Sequence, residues 1–360
     1  MKLSSPLPSS LPPPPPFPSL MRDWPALALD LGMRIGELSP HSDRTSPPFE
    51  KEERMRASMR DEGYVSLPGL CEDHVDSCSR AIDRLEEAGL PPQFILLFDE
   101  TWIVVDAAST ALSSALGLAN VQDFFIFNVK PGMTGWGMHR DRAGADSVRA
   151  FREDGLPMYN TVWVALTDAS IETSCIYLLP SFADPSYRSI DSEPSEDPEI
   201  VLQRHQYVRA LPVEQGTVLS WSQRVIHWGS ASPPNAPTPR KTLAFAMADP
   251  SYELPSIHPP AAGSLPSVEA RLALIAFTLV CYHHTRPVDD EQRSLLAALL
   301  QEHAHHLTDA ALGSRNGNHF QRNLHAIYSQ AVSSDDSLTA ASVSALYLQL
   351  ENRGLIGKHE

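Results

Sequence analysis

His139-Arg140-Asp141 and, far downstream, His227 and Arg240 are the residues whose types and spacing could do chemistry. Two histidines and one carboxylate in the order His-x-Asp…His can occupy one face of an octahedral Fe(II). The other positions then stay free for a chelating co-substrate and O₂. Arg240 follows His227 by thirteen residues. A cation there suits a dicarboxylate co-substrate, because a guanidinium grips a carboxylate bidentately. Together the four residues call for Fe(II), 2-oxoglutarate and O₂, the needs of an oxygenase.

The His-x-Asp string occurs three times, and context separates the copies. His41-Ser42-Asp43 lies among prolines with no apolar periodicity to hold its geometry. His74-Val75-Asp76 opens a helical pattern, where residues two apart point about 200° away from each other and cannot share a metal. His139 follows a strand-like run at 121–129 and the turn Pro131-Gly132-Met133-Thr134-Gly135. Residues i and i+2 of an extended segment project to one side, as joint coordination requires. The plainer reading of His139 and Asp141 is a surface turn with an ion pair to Arg140 or Arg142. Downstream context weighs against it. Gly216-Thr217-Val218-Leu219-Ser220-Trp221 reads as a turn and strand, Arg224-Val225-Ile226-His227 brings the second histidine to a strand end, and residues 242–247 form an apolar strand directly after Arg240. Such neighbours fit a small barrel or jelly roll with its site in the mouth.

Five segments, in order, resemble the phytanoyl-CoA dioxygenase family of Fe(II)/2-oxoglutarate enzymes over residues 51–249. They are the helix-to-strand passage at 60–70, Thr161-Val162-Trp163-Val164-Ala165-Leu166-Thr167-Asp168, Cys175-Ile176-Tyr177-Leu178-Leu179-Pro180-Ser181, His227-Trp228-Gly229-Ser230 and Pro239-Arg240-Lys241. The resemblance implies that His139, Asp141 and His227 are the iron ligands and that Arg240 binds the distal co-substrate carboxylate. It also places Trp163, Ser230 and Lys130 at the co-substrate pocket. For these three the plainer alternatives are a core tryptophan, an ordinary strand-end serine and a solvated lysine. Two departures stand out: Pro180-Ser181-Phe182 replaces the family's Pro-Gly-Ser-His turn, and Thr173-Ser174 stands where a polar residue and glycine are usual. Related halogenating enzymes have a small residue in place of the carboxylate. Asp141 therefore implies C–H hydroxylation, or a desaturation variant, with release of succinate and CO₂. The cofactor performs the oxidation, and the protein positions the substrate and tunes the metal.

Composition sets limits. The net charge of −16 over 360 residues disfavours nucleic acid as a partner. It also counts against a polyanionic acyl-CoA unless Arg142, Arg149 and Arg152 line the mouth. Cys71, Cys78, Cys175 and Cys281 lack metal-type spacing and read as free thiols. Twelve of the 32 prolines fall in the first fifty residues, including the run at 12–16. A disordered Pro-rich tail is expected for 1–50, without a secretory h-region. The expected compartment is the cytoplasm, with organelle targeting by the tail left open.

The remaining architecture follows from texture. Residues 51–250 are expected to form a mainly β, double-stranded β-helix (jelly roll, cupin-like) core behind helical flanks. Residues 265–354 are expected to form a helical appendage that packs on the barrel or mediates self-association. Its apolar run at 272–282 is too short to span a bilayer. Histidines near 283–284 and 303–306 lack a closed ligand pattern. The substrate is expected to be a small or lipid-like molecule, chosen by the loops at 143–157 and 182–199. A cupin-like metalloenzyme that does not use 2-oxoglutarate, and a non-catalytic jelly-roll interaction protein, are the alternatives.

Overall fold

The computed structural model describes residues 24–40, 49–142, 149–189, 205–261, 263–282, 289–313, 320–327, 329 and 337–352. Helices α1 (Trp24–Leu31), α2 (Phe49–Asp61), α3 (Val75–Glu87) and α4 (Asp99–Leu116) come first. Strand β1 (Tyr64–Leu67) lies between α2 and α3, and a 3₁₀ turn, Pro92–Leu97, precedes α4. The main strands follow: β2 (Ala119–Val129), β3 (Tyr159–Ala165), β4 (Ile176–Leu179), β5 (Arg209–Leu211), β6 (Val218–Ser222), β7 (Ile226–Gly229) and β8 (Arg240–Ala248). Last come α5 (Val268–Cys281), α6 (Asp290–His303), the short α7 (Asp309–Gly313) and α8 (Ser337–Asn352).

Among the described residues the strands form two sheets, ordered β1-β6-β3-β8-β2 and β5-β4-β7, and every pairing is antiparallel. This pattern excludes a doubly wound parallel sheet. Period-two alternation gives the larger sheet two different faces. Phe124 and Ile126 of β2, Val162 and Val164 of β3, and Leu243, Phe245 and Met247 of β8 enter the apolar core shared with the helices. Phe125, Phe127, Thr161, Trp163 and Ala244 face a cavity instead.

Helix α5 is buried on every side from Ala270 to Cys281, as an all-round apolar helix must be. Its residues join one core with the outer face of the larger sheet and the 3₁₀ turn. Ser267 starts the helix by accepting the Ala270 N–H, and Asp289 with Gln292 closes a capping box on α6. The C-terminal helices thus complete the sheet's core. A fully buried ion pair reinforces this contact: Arg271 of α5 donates to Asp99 at the start of α4 at 2.6 Å. The other Asp99 oxygen positions accept the backbone N–H groups of Gly36, Glu37 and Leu38. Among the described residues, no helix is long and apolar enough to cross a membrane.

One sequence expectation fails within the first fifty residues. Trp24–Leu31 is a helix that buries Leu27 and Ala28, and Trp24 stacks on Phe94 with ring centroids 5.6 Å apart. The prolines responsible for the tail reading stop at Pro25, where the missing N–H is harmless in a first turn, and resume only at Pro40. The intervening Ala and Leu residues favour a helix. The proline run at 12–16 lies outside the described residues, as does His41. Cys71 lies ahead of α3 and Cys78 within it; both are buried and free, as the cysteine spacing suggested.

Candidate active site

His139 and His227 meet across an isolated antiparallel bridge at the edge of the smaller sheet. Each backbone N–H donates to the other's carbonyl at 3.0 Å, and the rings lie 4.3 Å apart. Asp141, two residues on, points its carboxylate to the same side. His139 Nε2 lies 3.4 Å and His227 Nε2 3.6 Å from Asp141 Oδ1. One ligand atom from each residue falls within 4.8 Å of the others.

The remaining atoms of the three side chains are tied down. His139 Nδ1 donates to the Gly137 carbonyl at 2.7 Å and His227 Nδ1 to that of Val225 at 3.1 Å. Each tautomer is thereby fixed with its Nε2 lone pair directed inward. Asp141 Oδ2 accepts the Thr161 hydroxyl at 2.7 Å and the Trp221 indole N–H at 3.1 Å, leaving Oδ1 for the centre. Three acceptors face one point with no donor between them, an arrangement that a cation resolves. The ion-pair reading of Asp141 does not hold. Arg140 pairs with Asp184 at 2.7 Å and Arg142 with Glu253 at 2.6 Å.

Electrostatics around the triad follow from this crowding. Burial alone would raise the Asp141 pKa, but the charges and hydrogen bonds of His227, His139 and Thr161 hold it well below the usual carboxylate range. Burial pulls His227 down, with Asp141 opposing. At His139 burial also acts downward, yet the hydrogen bond and charge of Asp141 leave it raised.

Arg240 opens β8 and faces the same cavity, which measures about 300 Å³. It is 2% exposed, yet its nearest polar partners are only Thr242 Oγ1 at 3.2 Å and Ser174 Oγ at 3.3 Å. Its Nε has no hydrogen-bond partner. Its guanidinium carbon sits 5.6 Å from the Trp163 ring centroid, a cation–π contact. Gly229 explains the fit between the elements. A Cβ there would lie 3.1 Å from Arg240 Nη2, and one on Gly135 would lie 2.8 Å from the Gly229 backbone. The loop carrying His139 can approach β7 only through these two glycines.

The weaker pocket assignments divide. Trp163 lines the cavity beside Arg240. Ser230 does not; its hydroxyl is buried without a partner, and its carbonyl accepts the Ser174 hydroxyl. Lys130 is a correction. Its ammonium pairs with Glu86 at 2.8 Å, half exposed, and lines a different depression. Reading the sequence missed Thr161 and Trp221 as anchors of Asp141, although both stand on strand positions facing the cavity. It also missed Asp123, Phe125, Phe127 and Tyr282 as walls. The i, i+2 alternation of β2 was available as a signal; for Tyr282 there was none. The other His-x-Asp copy among the described residues is spent on local structure, with Asp76 paired to Arg80. Of the expected substrate loops, residues 143–148 and 190–199 lie outside the described residues.

The profile of the family "Phytanoyl-CoA dioxygenase (PhyH)" matches residues 73–236, a span that contains His139, Asp141 and His227 and ends before Arg240. No curated protein matches the chain in sequence. The chain is also similar to the solved structure of the non-heme alpha ketoglutarate dependent epimerase SnoN from nogalamycin biosynthesis, at 18% identity over 56% of this chain and 84% of that one, with a TM-score of 0.42. EctD from S. alaskensis, solved with 2-oxoglutarate and 5-hydroxyectoine, is 15% identical over 66% and 93%, with a TM-score of 0.42. AviO1 from Streptomyces viridochromogenes Tue57 is 16% identical over 58% and 97%, with a TM-score of 0.38. The matched span, residues 73–236, is the part of the chain similar to the phytanoyl-CoA dioxygenase family, and it holds the convergent histidines and aspartate.

Proposed function

We propose that the protein is an Fe(II)/2-oxoglutarate-dependent oxygenase built on a double-stranded β-helix, acting on a small molecule. The observation that carries this reading is the pairing of two features in one cavity. Nε2, Oδ1 and Nε2 converge with their outer atoms tied, and a buried arginine faces them without a carboxylate partner among the described residues.

His139, Asp141 and His227 would hold Fe(II), whose preference for mixed imidazole and carboxylate ligands on one face suits this donor set. Arg240 would grip the distal carboxylate of 2-oxoglutarate, and Trp163 would flank it. Together with O₂, the loaded site supplies an oxidation coupled to release of succinate and CO₂. The chain's own part is orientation. Gly137 and Val225 fix the imidazoles, Thr161 and Trp221 fix the carboxylate, and the aromatic walls exclude water. Retention of Asp141 favours hydroxylation or another C–H oxidation over halogenation.

Incubating the full chain with Fe(II) and 2-oxoglutarate should release succinate, and Asp141→Ala should abolish both this release and iron binding while unfolding at the parent's temperature. A folded, iron-bound parent that forms no succinate, alone or across a metabolite screen, would falsify the proposal.

A further inference from the structure

The two segments that carry the metal ligands are braced by a third. Backbone bonds already join the pair: His139 and His227 bridge, and the Arg142 N–H donates to the Gln223 carbonyl at 3.2 Å. The alternation that turns His139 and Asp141 to one side turns Arg140 to the other. There its guanidinium forms an ion pair with Asp184 at 2.7 Å, both side chains being almost fully buried. The turn before His227 supplies a second arginine. Arg224, 1% exposed, donates to the carbonyls of Ser186, Tyr187 and Ser189 at 3.1, 3.3 and 2.9 Å, and to that of Arg142 at 3.2 Å. Its own carbonyl accepts from Arg140 Nη1. Each ligand-bearing segment thus sends one buried arginine to residues 184–189.

None of residues 184–189 lines the cavity, so the segment acts on the site only through what it holds. Tyr187 shares an apolar cluster with Trp221, which fixes the Asp141 carboxylate, and Val225, which fixes the His227 ring. A guanidinium is a rigid planar fork of several donors, and it holds two loops in one register as an ammonium cannot. Burying two arginines is costly unless their partners stay in place. The brace therefore has one preferred geometry, and the ligands inherit it.

We infer that residues 184–189, through Arg140 and Arg224, set the spacing of the metal ligands, which makes the two arginines positioning residues for the triad. The inference rests on the metal site of the proposed oxygenase. Linkage gives it a consequence. If docking of the segment strengthens metal binding, metal binding must strengthen docking by the same factor.

The test uses cobalt(II), whose visible absorption reports coordination geometry, on the full chain. The Ser186, Tyr187 and Ser189 amides are each hydrogen-bonded within the segment. In the parent, cobalt(II) should slow their hydrogen exchange about tenfold, the lower end for partners of a metal ligand. Amides of α8, which lines no part of the cavity, should be unaffected. Arg224→Lys keeps the charge and loses the fork. It should weaken cobalt(II) binding about tenfold, shift the absorption band and abolish the slowing. Asp184→Asn should move the same readouts in the same direction, to a smaller extent. Asp99→Ala, destabilised on the helical side of the larger sheet, should keep the parent's affinity and band. Unchanged exchange at 184–189, equal slowing in α8, parent-like cobalt(II) binding in a folded Arg224→Lys, or an equal loss in Asp99→Ala would each overturn the inference. Exchange is read on the parent, so it decides the matter even if Arg224→Lys does not fold. No cobalt(II) binding by the parent removes the metal site and this inference with it. Binding with unchanged exchange removes this inference alone, and succinate release tests the oxygenase reading separately.

Discussion

Arg240 and Arg271 are equally inaccessible, at 2% and 1% exposure, and yet are held in opposite ways. Arg271, on the helical side, donates to Asp99 at 2.6 Å and to the carbonyls of Leu97 and Pro266 at 2.7 and 2.8 Å. Burial lowers its pKa, and Asp99 acts to restore it. Arg240, on the cavity side, has two hydroxyls at 3.2 and 3.3 Å and an orphaned Nε. Burial pulls its pKa down to about 10, with little to oppose it. A buried charge without a counter-ion costs several kcal/mol. The fold satisfies one arginine completely and keeps the other short of a carboxylate. The first joins elements together; the second suits an anion that arrives from outside.

The contrast breaks most readily at Asp99. Asp99→Ala leaves Arg271 buried and unpaired, and should cost about 3–5 kcal/mol of stability. It should shift the denaturant midpoint at constant slope and leave iron affinity unchanged. Burial would raise the Asp99 pKa, but the N–H groups of Leu38 and Gly36 and the Arg271 guanidinium overcome this and hold it below its ordinary value of 3.8. A depressed folded-state pKa means that the unfolded chain binds the extra proton. The Asp99 contribution is therefore fully present above pH 3.8 and lost as pH falls through the lower, folded value. Asp99→Asn should flatten that acid limb of the stability profile. An unchanged limb would show that Asp99 does not control it.

Arg240→Met sharpens the other half. Removing a buried charge that lacks a carboxylate should leave stability unchanged or raise it. Binding of 2-oxoglutarate should weaken by about 2–5 kcal/mol, the range for truncating a buried charge pair, while iron still binds. Separate titrations of iron and 2-oxoglutarate read the two effects. If Arg240→Met destabilises as much as Asp99→Ala, both arginines are structural and the contrast disappears.

The same two regions differ in how much of them the sequence disclosed. His227 and Arg240 were legible because each lies on a strand whose alternation is local, and His139 and Asp141 because residues i and i+2 of an extended segment project to one side. The Asp99 cluster was not: its partners lie 61 to 172 residues away in the chain, at Leu38 and Arg271, and no local pattern marks them. Tyr282 was hidden likewise, since only packing of α5 beneath the larger sheet brings it to Phe125. Lys130 misled because it sits beside the strand end that carries the site but points toward Glu86. At Trp24–Leu31, composition averaged over fifty residues concealed a proline-poor stretch.

Within the cavity, Thr161 offers a smaller effect. Thr161→Val removes the 2.7 Å bond to Asp141 Oδ2 and leaves that from Trp221. Loss of such a partner typically weakens metal binding about 10–100-fold, and competition titration with a chelator should show a decrease in that range. Iron affinity equal to the parent's would mean that Trp221 alone orients the carboxylate.

Ser174 carries the subtlest expectation. It is fully buried with φ at 65°, a left-handed conformation that favours glycine. A side chain in that conformation costs roughly 1–2 kcal/mol. Its hydroxyl donates to the Ser230 carbonyl and accepts from Arg240 Nη2 at 3.3 Å. Ser174→Gly relieves the backbone and loses the hydroxyl, so stability should move by no more than about 1 kcal/mol. Ser174→Ala keeps the strain and loses the same hydroxyl, and should be less stable than the glycine variant by about 1 kcal/mol. In both, Arg240 loses one of its two side-chain partners, so the KM for 2-oxoglutarate should rise severalfold with kcat little changed. Parent-like 2-oxoglutarate binding in both variants would mean that Thr242 and Trp163 suffice to aim Arg240, and that Ser174 is strained to no purpose at this site.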